Sequence, residues 1–384
     1  MTYEELISLG IQLREQTRPE ESLACFGQAF IQVPESAAAF NNYGNTLREM
    51  GFPQRAVPFL EHAILLDPGM ATAQFNLAVA LLLSGDLKRG FRQYETRWNF
   101  EHLAGTLPSF SQPRWTGQNL KDKTIFVLGE QGFGDNIQFA RYLSQLRDLG
   151  ATVKFHCQPG LITLLAASRT MSGIEFSPYS NAPEQFDFWS PIMSLPVGFG
   201  TDYKTMSSPL QYLEPSTESI KVWQQRLGPK TKQRVGILWS GRRDTWINRH
   251  KAVGFEYIVD LIKRNTDIQW INLQADAEDD QNQMLTELGV AQYPGTIVDW
   301  NDTAGLIHHL DLVIGMDTAV GHLAGAMGRP TWLMLSQFAL DWRWLLDRSD
   351  SPWYPSAKLF RQPVRGDWGS VINQICQYLG WWKN

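Results

Sequence analysis

The chain has 384 residues, more than one hydrophobic core comfortably holds, so two or three domains are expected. Its formal net charge is −5 and it has no dense run of Lys or Arg, which leaves a nucleic-acid or anionic-membrane partner without an electrostatic footprint and confines any phosphate binding to a local site. The three cysteines, Cys25, Cys157 and Cys376, stand singly without metal-ligand spacing, the first residues are acidic, and no apolar run reaches about 18 residues, so the expectation is a cytoplasmic protein with reduced thiols, no metal site and no membrane span.

The first hundred residues repeat. Tyr3–Ser36, Ala37–Met70 and Ala71–Ala104, set in frames of about 34 residues, bring Leu9/Tyr43/Leu77, Gly10/Gly44/Ala78, Leu13/Leu47/Leu81, Phe26/Leu60/Tyr94 and Ala29/Ala63/Arg97 into register. The pattern resembles the tetratricopeptide repeat, which implies stacked helix pairs whose concave face takes a peptide or protein. Asn41, Asn42, Asn45, Gln74 and Asn76 carry amides on the first helices. Any one of them reads as solvated polar surface; as a group they point to peptide-backbone binding, with Asn42, Asn45 and Asn76 as the acceptor-contact candidates. Repeat three loses its late Ala and Pro, as expected where the last helix pair docks on something other than a fourth repeat.

Residues 105–123, with Gly105, Pro108, Pro113 and Gly117, read as a linker. A strand at Thr124–Leu128 then leads through Gly129-Glu130-Gln131-Gly132-Phe133-Gly134-Asp135 into a helix from Asn136 to about Leu149. The glycines have the spacing GxxGxG, and the next strand, Thr152–Cys157, ends in His156-Cys157 instead of an acid for a ribose, which excludes a dinucleotide fingerprint. Strands follow at Ile174–Phe176 and Phe186–Ser190. A second set is expected at Arg234–Ser240, Ile268–Gln274, Thr296–Val298, Asp311–Met316, Thr331–Leu335 and Leu359–Arg361, with helices between most of them. The layout is two Rossmann-like halves, 124–215 and 216–384, with a cleft between the carboxyl ends of their sheets.

Within Asp311–Leu335 an apolar strand runs into Asp317-Thr318-Ala319, and Val320, Leu323, Ala324 and Met327 then keep helical period until Gly328 and Pro330 end it. The uncapped N–H groups of that helix face whatever lies beyond the strand, a good place for a diphosphate. Gly321 and Gly325 share one face and allow close approach to the sheet or to a ligand. The competing reading of Asp317-Thr318 is a helix cap and nothing more.

Several stretches together, GEQGFGDNIQFARYL, VGILWSG, DWNDTAGLIHHLDLVIGMDTAVGHLAGAMGRPTW and DWRWLLDRSDSPWYPSAKLFRQ, resemble tetratricopeptide-repeat proteins carrying a GT-B domain related to the bacterial heptosyltransferases (glycosyltransferase family 9) and, more distantly, to the O-GlcNAc transferases (family 41). The resemblance implies helical repeats followed by a GT-B fold of two Rossmann-like domains, an acceptor half and a donor half. It implies an inverting transferase using a nucleoside-diphosphate sugar and no other cofactor. Carried onto this chain, it makes Asp135 the general base, gives Asp317 and Thr318 the donor sugar and phosphates with Ala319, Gly321 and His322 beside them, assigns a basic role to Arg249 or Lys251, and places Gln274 at the nucleoside. The chemistry asks for the same types: a base for the acceptor and positive groups for the departing diphosphate, a division that makes a metal unnecessary. Against these stand plainer readings, Asp135 as a helix cap, His322 as a core histidine and Lys251 as surface. Trp342, Trp344, Trp353 and Tyr354 read as packing, with Asp341 and Arg343 as candidate cleft groups. The expected acceptor is a protein recruited by the repeats; the alternatives are a glycan or lipid-linked sugar, or a non-catalytic scaffold that binds nucleotide sugar.

Overall fold

A computed structural model describes residues 1–100, 103, 105–179, 183, 185–204, 206, 208–241, 251–337 and 340–382. It has two compact units. The helical one takes in residues 1–111, 196–206 and 340–347, and the α/β one takes in 112–195, 207–339 and 348–384. Among the described residues no helix is long and apolar enough to cross a membrane.

The helical unit is built on α1 (Tyr3–Glu15), α2 (Pro19–Gln32), α3 (Ala37–Glu49), α4 (Pro53–Leu66), α5 (Ala71–Leu83) and α6 (Leu87–Tyr94), which start at the positions the repeat dictates. Each boundary has a local cause. Thr2 and Glu5 exchange capping bonds at α1, Ser36 caps α3 and Asp86 caps α6, while Pro19 and Pro53 open α2 and α4, where a missing N–H leaves no bond unmade. Within a pair the helices touch through a small residue: a Cβ on Gly10 would lie 2.5 Å from the Phe26 ring, and one on Gly44 2.7 Å from Leu60.

Repeat three departs where the register puts Arg97 in place of Ala29 and Ala63. There α6 stops at Tyr94 and the chain tightens into a 3-10 turn, Glu95–Asn99. A buried guanidinium needs partners, and this turn supplies them: Arg97 donates to the Tyr94 carbonyl at 3.1 Å and to the Glu95 carboxylate at 2.9 Å, and lies over the Trp98 ring. No fourth repeat follows. Instead Trp342, from the segment 340–347, meets Phe91 edge-on at 5.5 Å. Asp341 and Arg343, expected as cleft groups, are paired with each other in this unit at 3.1 Å. Of the expected aromatic cluster, Trp342 and Trp344 belong to the helical unit and Trp353 and Tyr354 to the α/β unit.

The α/β unit contains two parallel sheets, so the expected fold class, helical repeats followed by two Rossmann-like halves, is the one observed. The first sheet has the order β3-β2-β1-β4, from β1 (Thr124–Leu128), β2 (Thr152–Cys157), β3 (Glu175–Pro178) and β4 (Phe188–Pro191). The second has the order β6-β5-β7-β8-β9, from β5 (Arg234–Ile237), β6 (Gln269–Asn272), β7 (Leu312–Met316), β8 (Thr331–Leu335) and β9 (Ala357–Arg361). Every residue of β5, β7 and β8 is buried, the mark of a parallel sheet covered on both faces. Thr296–Val298 is not a strand. It follows a turn at Gly295 (φ 67°), Val298 is 84% exposed, and its N–H donates to Asp302 at 3.1 Å, so its bonding goes to the start of the next helix instead of a ladder. Residues 112–123 are more than a tether: Trp115 donates its backbone N–H to Trp189 of β4 at 2.9 Å and is buried with Leu120.

The end of α1 offers a direct test of the repeat geometry. Three equivalent positions take the left-handed conformation, Thr17 (φ 64°), Gly51 (φ 84°) and Gly85 (φ 90°), and only the first carries a side chain. Thr17→Gly should stabilise the protein by about 1 kcal/mol, read as a higher midpoint of thermal unfolding, because the left-handed penalty is about that size.

Candidate functional site

β7 lies between β5 and β8 and leaves the sheet at its carboxyl edge, where Asp317-Thr318 make the turn and the helix Ala319–Ala326 begins at once. Thr318 has the extended backbone of an N-cap (φ −142°, ψ 170°), yet its side chain caps nothing. Its hydroxyl is buried without a hydrogen-bond partner among the described residues, so the plain capping reading fails for Thr318. Beyond the end of adjacent β5, Ser240 is 3% exposed and its hydroxyl is also without a partner. Two such groups left unmet would cost about 1–3 kcal/mol each. Both stand past the carboxyl ends of the neighbouring strands β5 and β7, and after Thr318 the helix N-terminus is open to an acceptor-rich anion. Ser240 was not singled out from the sequence, although the stretch VGILWSG contains it.

Gln274 explains how Ser240 is held. Its Oε1 accepts from the Trp239 N–H at 3.1 Å and the Ser240 N–H at 2.9 Å, while its amide group donates to Asp276. The residue expected at the nucleoside therefore has its amide engaged in shaping the loop after β5. Gly321 is also a packing residue, because a Cβ there would lie 2.9 Å from Leu333 on β8 and 3.1 Å from the Met316 carbonyl.

Charged candidates from distant parts of the sequence meet here. Lys251 Nζ is 3.8 Å from Asp317 Oδ2, and His322 Nε2 is 3.6 Å from Asp317 Oδ1. His322, 5% exposed, is joined through Nδ1 to the Tyr354 hydroxyl at 2.8 Å. Lys251 is thus no bland surface lysine; its side chain is 19% exposed and aligned on a carboxylate. Arg249 lies outside the described residues.

The first half reaches the same place through its glycine loop. A Cβ on Gly134 would sit 3.0 Å from Cδ2 of His322 and 3.5 Å from Cα of Ala319, so only glycine allows this approach without displacement. The helix opens at Phe133, earlier than expected, because Asp135 Oδ2 accepts the Gly132 N–H at 2.9 Å. That cap is real. It is made through one carboxylate oxygen, Oδ2. Asn136, missed in the sequence, braces the loop by donating to the carbonyls of Glu130 and Gly132, both at 2.9 Å. Nearby on β2, burial pushes the Cys157 thiol up to about 12, which removes it as a nucleophile.

Beside the helix N-terminus opens a cavity of about 840 Å³, bounded by Phe133 and Gly160 from the first half and by Gln274, Tyr293, Val298 and Val320 from the second. Its walls are mixed apolar and amide, the surface a nucleoside takes, and it adjoins the unpartnered hydroxyl end. In the helical unit the three candidate amides are in internal bonds. Asn42 donates to the Ala38 carbonyl at 3.0 Å, Asn45 bonds Glu49 at 3.0 Å and Arg48 at 2.6 Å, and Asn76 donates to Asn41 at 3.0 Å.

The role found for Gln274 predicts a loss without any ligand. Gln274→Ala removes the acceptor of two buried N–H groups and should lower stability by about 1–3 kcal/mol in ligand-free thermal unfolding. An unchanged midpoint would return Gln274 to a purely ligand-facing role.

Residues 298–332 match the family model described as glycosyltransferase family 9 (heptosyltransferase). The matched segment holds β7, the Asp317-Thr318 turn and the helix with His322. The chain is 26% identical over 437 residues to Protein FlbA of Caulobacter vibrioides, covering 97% of this chain and 72% of that protein. Among solved structures it is similar to the glycosyl transferase family 9 protein of Veillonella parvula, with a TM-score of 0.52 and 11% identity over 68% of this chain and 97% of that one. The ADP-heptose lps heptosyltransferase II of E. coli aligns with a TM-score of 0.48 and 13% identity over 67% and 97%. The Veillonella likeness shows a shared two-sheet fold, and the family match, which takes in Asp317, Thr318 and His322, supports glycosyltransferase activity.

Proposed function

We propose that the protein is an inverting GT-B glycosyltransferase that moves a sugar from a nucleoside-diphosphate sugar to a protein acceptor. The observation that carries the donor part is the pair of buried, unpartnered hydroxyls of Thr318 and Ser240 past the ends of neighbouring strands, with an open helix N-terminus after Thr318 and a cavity of nucleoside size lined by Val320 and Gln274. On this reading the nucleoside lies in the cavity and the diphosphate accepts from Thr318, Ser240 and the N–H groups of Ala319–Gly321. Asp135 takes the proton of the acceptor hydroxyl as its oxygen attacks the anomeric carbon from the face opposite the leaving group. The bond to the diphosphate oxygen breaks, and Lys251 with the positive end of the helix stabilises the charge that collects there. Asp317, between Lys251 and His322, holds a donor sugar hydroxyl. Since protein groups supply that positive charge, transfer needs no metal and should persist in EDTA.

The protein-acceptor part rests on the helical repeats. A second reading has one observation on its side: Asn45 is buried and both ends of its amide are bonded within α3, so the amide row is partly committed to the repeats' own structure. On that reading the acceptor is a glycan or lipid-linked sugar and the repeats serve assembly. Co-purification of a specific protein with residues 1–111, set against transfer to free oligosaccharides by the full chain, separates the two; hydrolysis of a nucleotide sugar by the purified protein separates either from a non-catalytic scaffold.

Thr318→Val and Lys251→Ala should each weaken a nucleoside diphosphate by about tenfold or more while leaving the free nucleoside within about twofold, measured by calorimetry. Equal losses for both ligands would place the phosphates elsewhere. Asp135→Asn should keep donor affinity and lower transfer by about 100-fold, the scale of a positioned base; turnover like that of the wild type would reduce Asp135 to its capping bond.

A further inference from the structure

Arg141, the first residue of the helix Arg141–Asp148 that follows the one carrying Asp135, is 1% exposed and meets no carboxylate among the described residues. Its guanidinium donates to the carbonyls of Gln138 and Trp353, both at 2.8 Å, and to the Tyr212 hydroxyl at 3.2 Å. It lies over the rings of Tyr212 and Tyr354 at 4.9 Å and of Trp353 at 5.4 Å. Burying a cation without a counter-ion is costly. What the arrangement secures in return is the turn Trp353-Tyr354.

Two other features fix the same ring. Ser351 accepts from the Trp353 and Tyr354 N–H groups at 3.2 and 3.3 Å, and Gly325 makes room for the ring, since a Cβ there would stand 2.6 Å from Tyr354 Cδ1. The fully buried ring ends in the hydroxyl that meets His322 Nδ1. The other ring nitrogen, Nε2, faces Asp317 Oδ1 at 3.6 Å. An ionised carboxylate only accepts, so Nε2 is best placed there with its proton on; Nδ1 then presents a lone pair and the tyrosine hydroxyl donates to it.

We infer that Arg141 and Tyr354 are positioning residues that hold His322 as its Nε2–H tautomer, directed at the Asp317 carboxylate. The consequence for transfer rests on the donor-site reading above; the tautomer does not. With the imidazole fixed, Asp317 stands between two donors, Lys251 and His322, and keeps one orientation toward the sugar. Neither Arg141 nor Tyr354 has to touch the substrate for this.

The test uses the full chain labelled with ¹⁵N-histidine, with His322 assigned by the resonances lost in His322→Gln. In the wild type Nε2 should be protonated and Nδ1 not. Tyr354→Phe keeps the ring under Arg141 and deletes only the hydroxyl, so it should fold normally and shift His322 toward a mixture of tautomers. Arg141→Lys should shift it the same way by loosening the turn. A wild-type Nδ1–H tautomer, or a Tyr354→Phe spectrum with His322 unchanged, overturns the proposal, and an effect of Tyr354→Phe without one of Arg141→Lys overturns the part given to Arg141. In a second arm, ADP, GDP and UDP are titrated into wild type and Tyr354→Phe, and transfer is followed with the matching donor. The expected result is a kcat lower by about 3- to 10-fold with diphosphate affinity within about twofold, as loss of one buried hydrogen bond in an orienting role would give. Equal losses in kcat and affinity would overturn the orienting role. If none of the three nucleotides binds the wild type, the donor-site reading falls, and the tautomer spectra still decide the positioning.

Discussion

A parallel strand buried on both faces can leave its sheet only at the carboxyl edge, and a helix that starts one turn later leaves its first N–H groups facing the same space. At β7 the turn between them is two residues long, Asp317 and Thr318, and Thr318 does not cap the helix. The site follows from that omission. A threonine hydroxyl turned back onto the helix would have closed the anion-binding end; with it buried and unpartnered, the helix terminus and Thr318 are left as donors, with the Ser240 hydroxyl past the end of the neighbouring strand.

The helix Ala319–Ala326 is approached from several sides, and a glycine answers each approach. Gly321 gives way to Leu333 of β8, Gly325 to the Tyr354 ring, and Gly328 to the carbonyl of Leu210 on the segment linking the two halves, while Gly134 on the opposing loop gives way to His322. A methyl at any of these would push a neighbour by several tenths of an ångström or more. Interiors are close-packed and transmit such strain, so the position of the phosphate end is set by the packing around the helix as much as by the groups that would touch a ligand. Gln274 and Asn136 do the same for the two flanking loops: each uses a side-chain amide to satisfy backbone groups that would otherwise be orphaned.

In the helical unit the corresponding constraint is the small residue between paired helices. Gly10 and Gly44 keep it; the third pair keeps Ala78 at that place but carries Arg97 where its predecessors have alanine, and the helix gives way to a tighter turn around the guanidinium. The last pair then closes against Leu340–Asp347 instead of another repeat. The loss of the late Ala and Pro from the register marked, in the sequence, where the array ends.

The sequence by itself determined what depends on neighbours within a few turns. It placed the six repeat helices, all but one of the expected strands along the chain, the strand-turn-helix at Asp311–Met327 and its stop at Gly328, because period, caps and glycines act locally. It erred at Thr296–Val298, where a β-branched run sits exposed after a turn and its bonds go to the next helix. The roles of Gln274, Ser240, Asn136 and Arg141 were decided only in the tertiary structure. Arg141 reaches a carbonyl 212 positions away, and His322 meets a hydroxyl 32 positions away. The energy of a buried polar group depends on which partner the fold delivers to it, and one sequence read along its length carries no distance between such pairs.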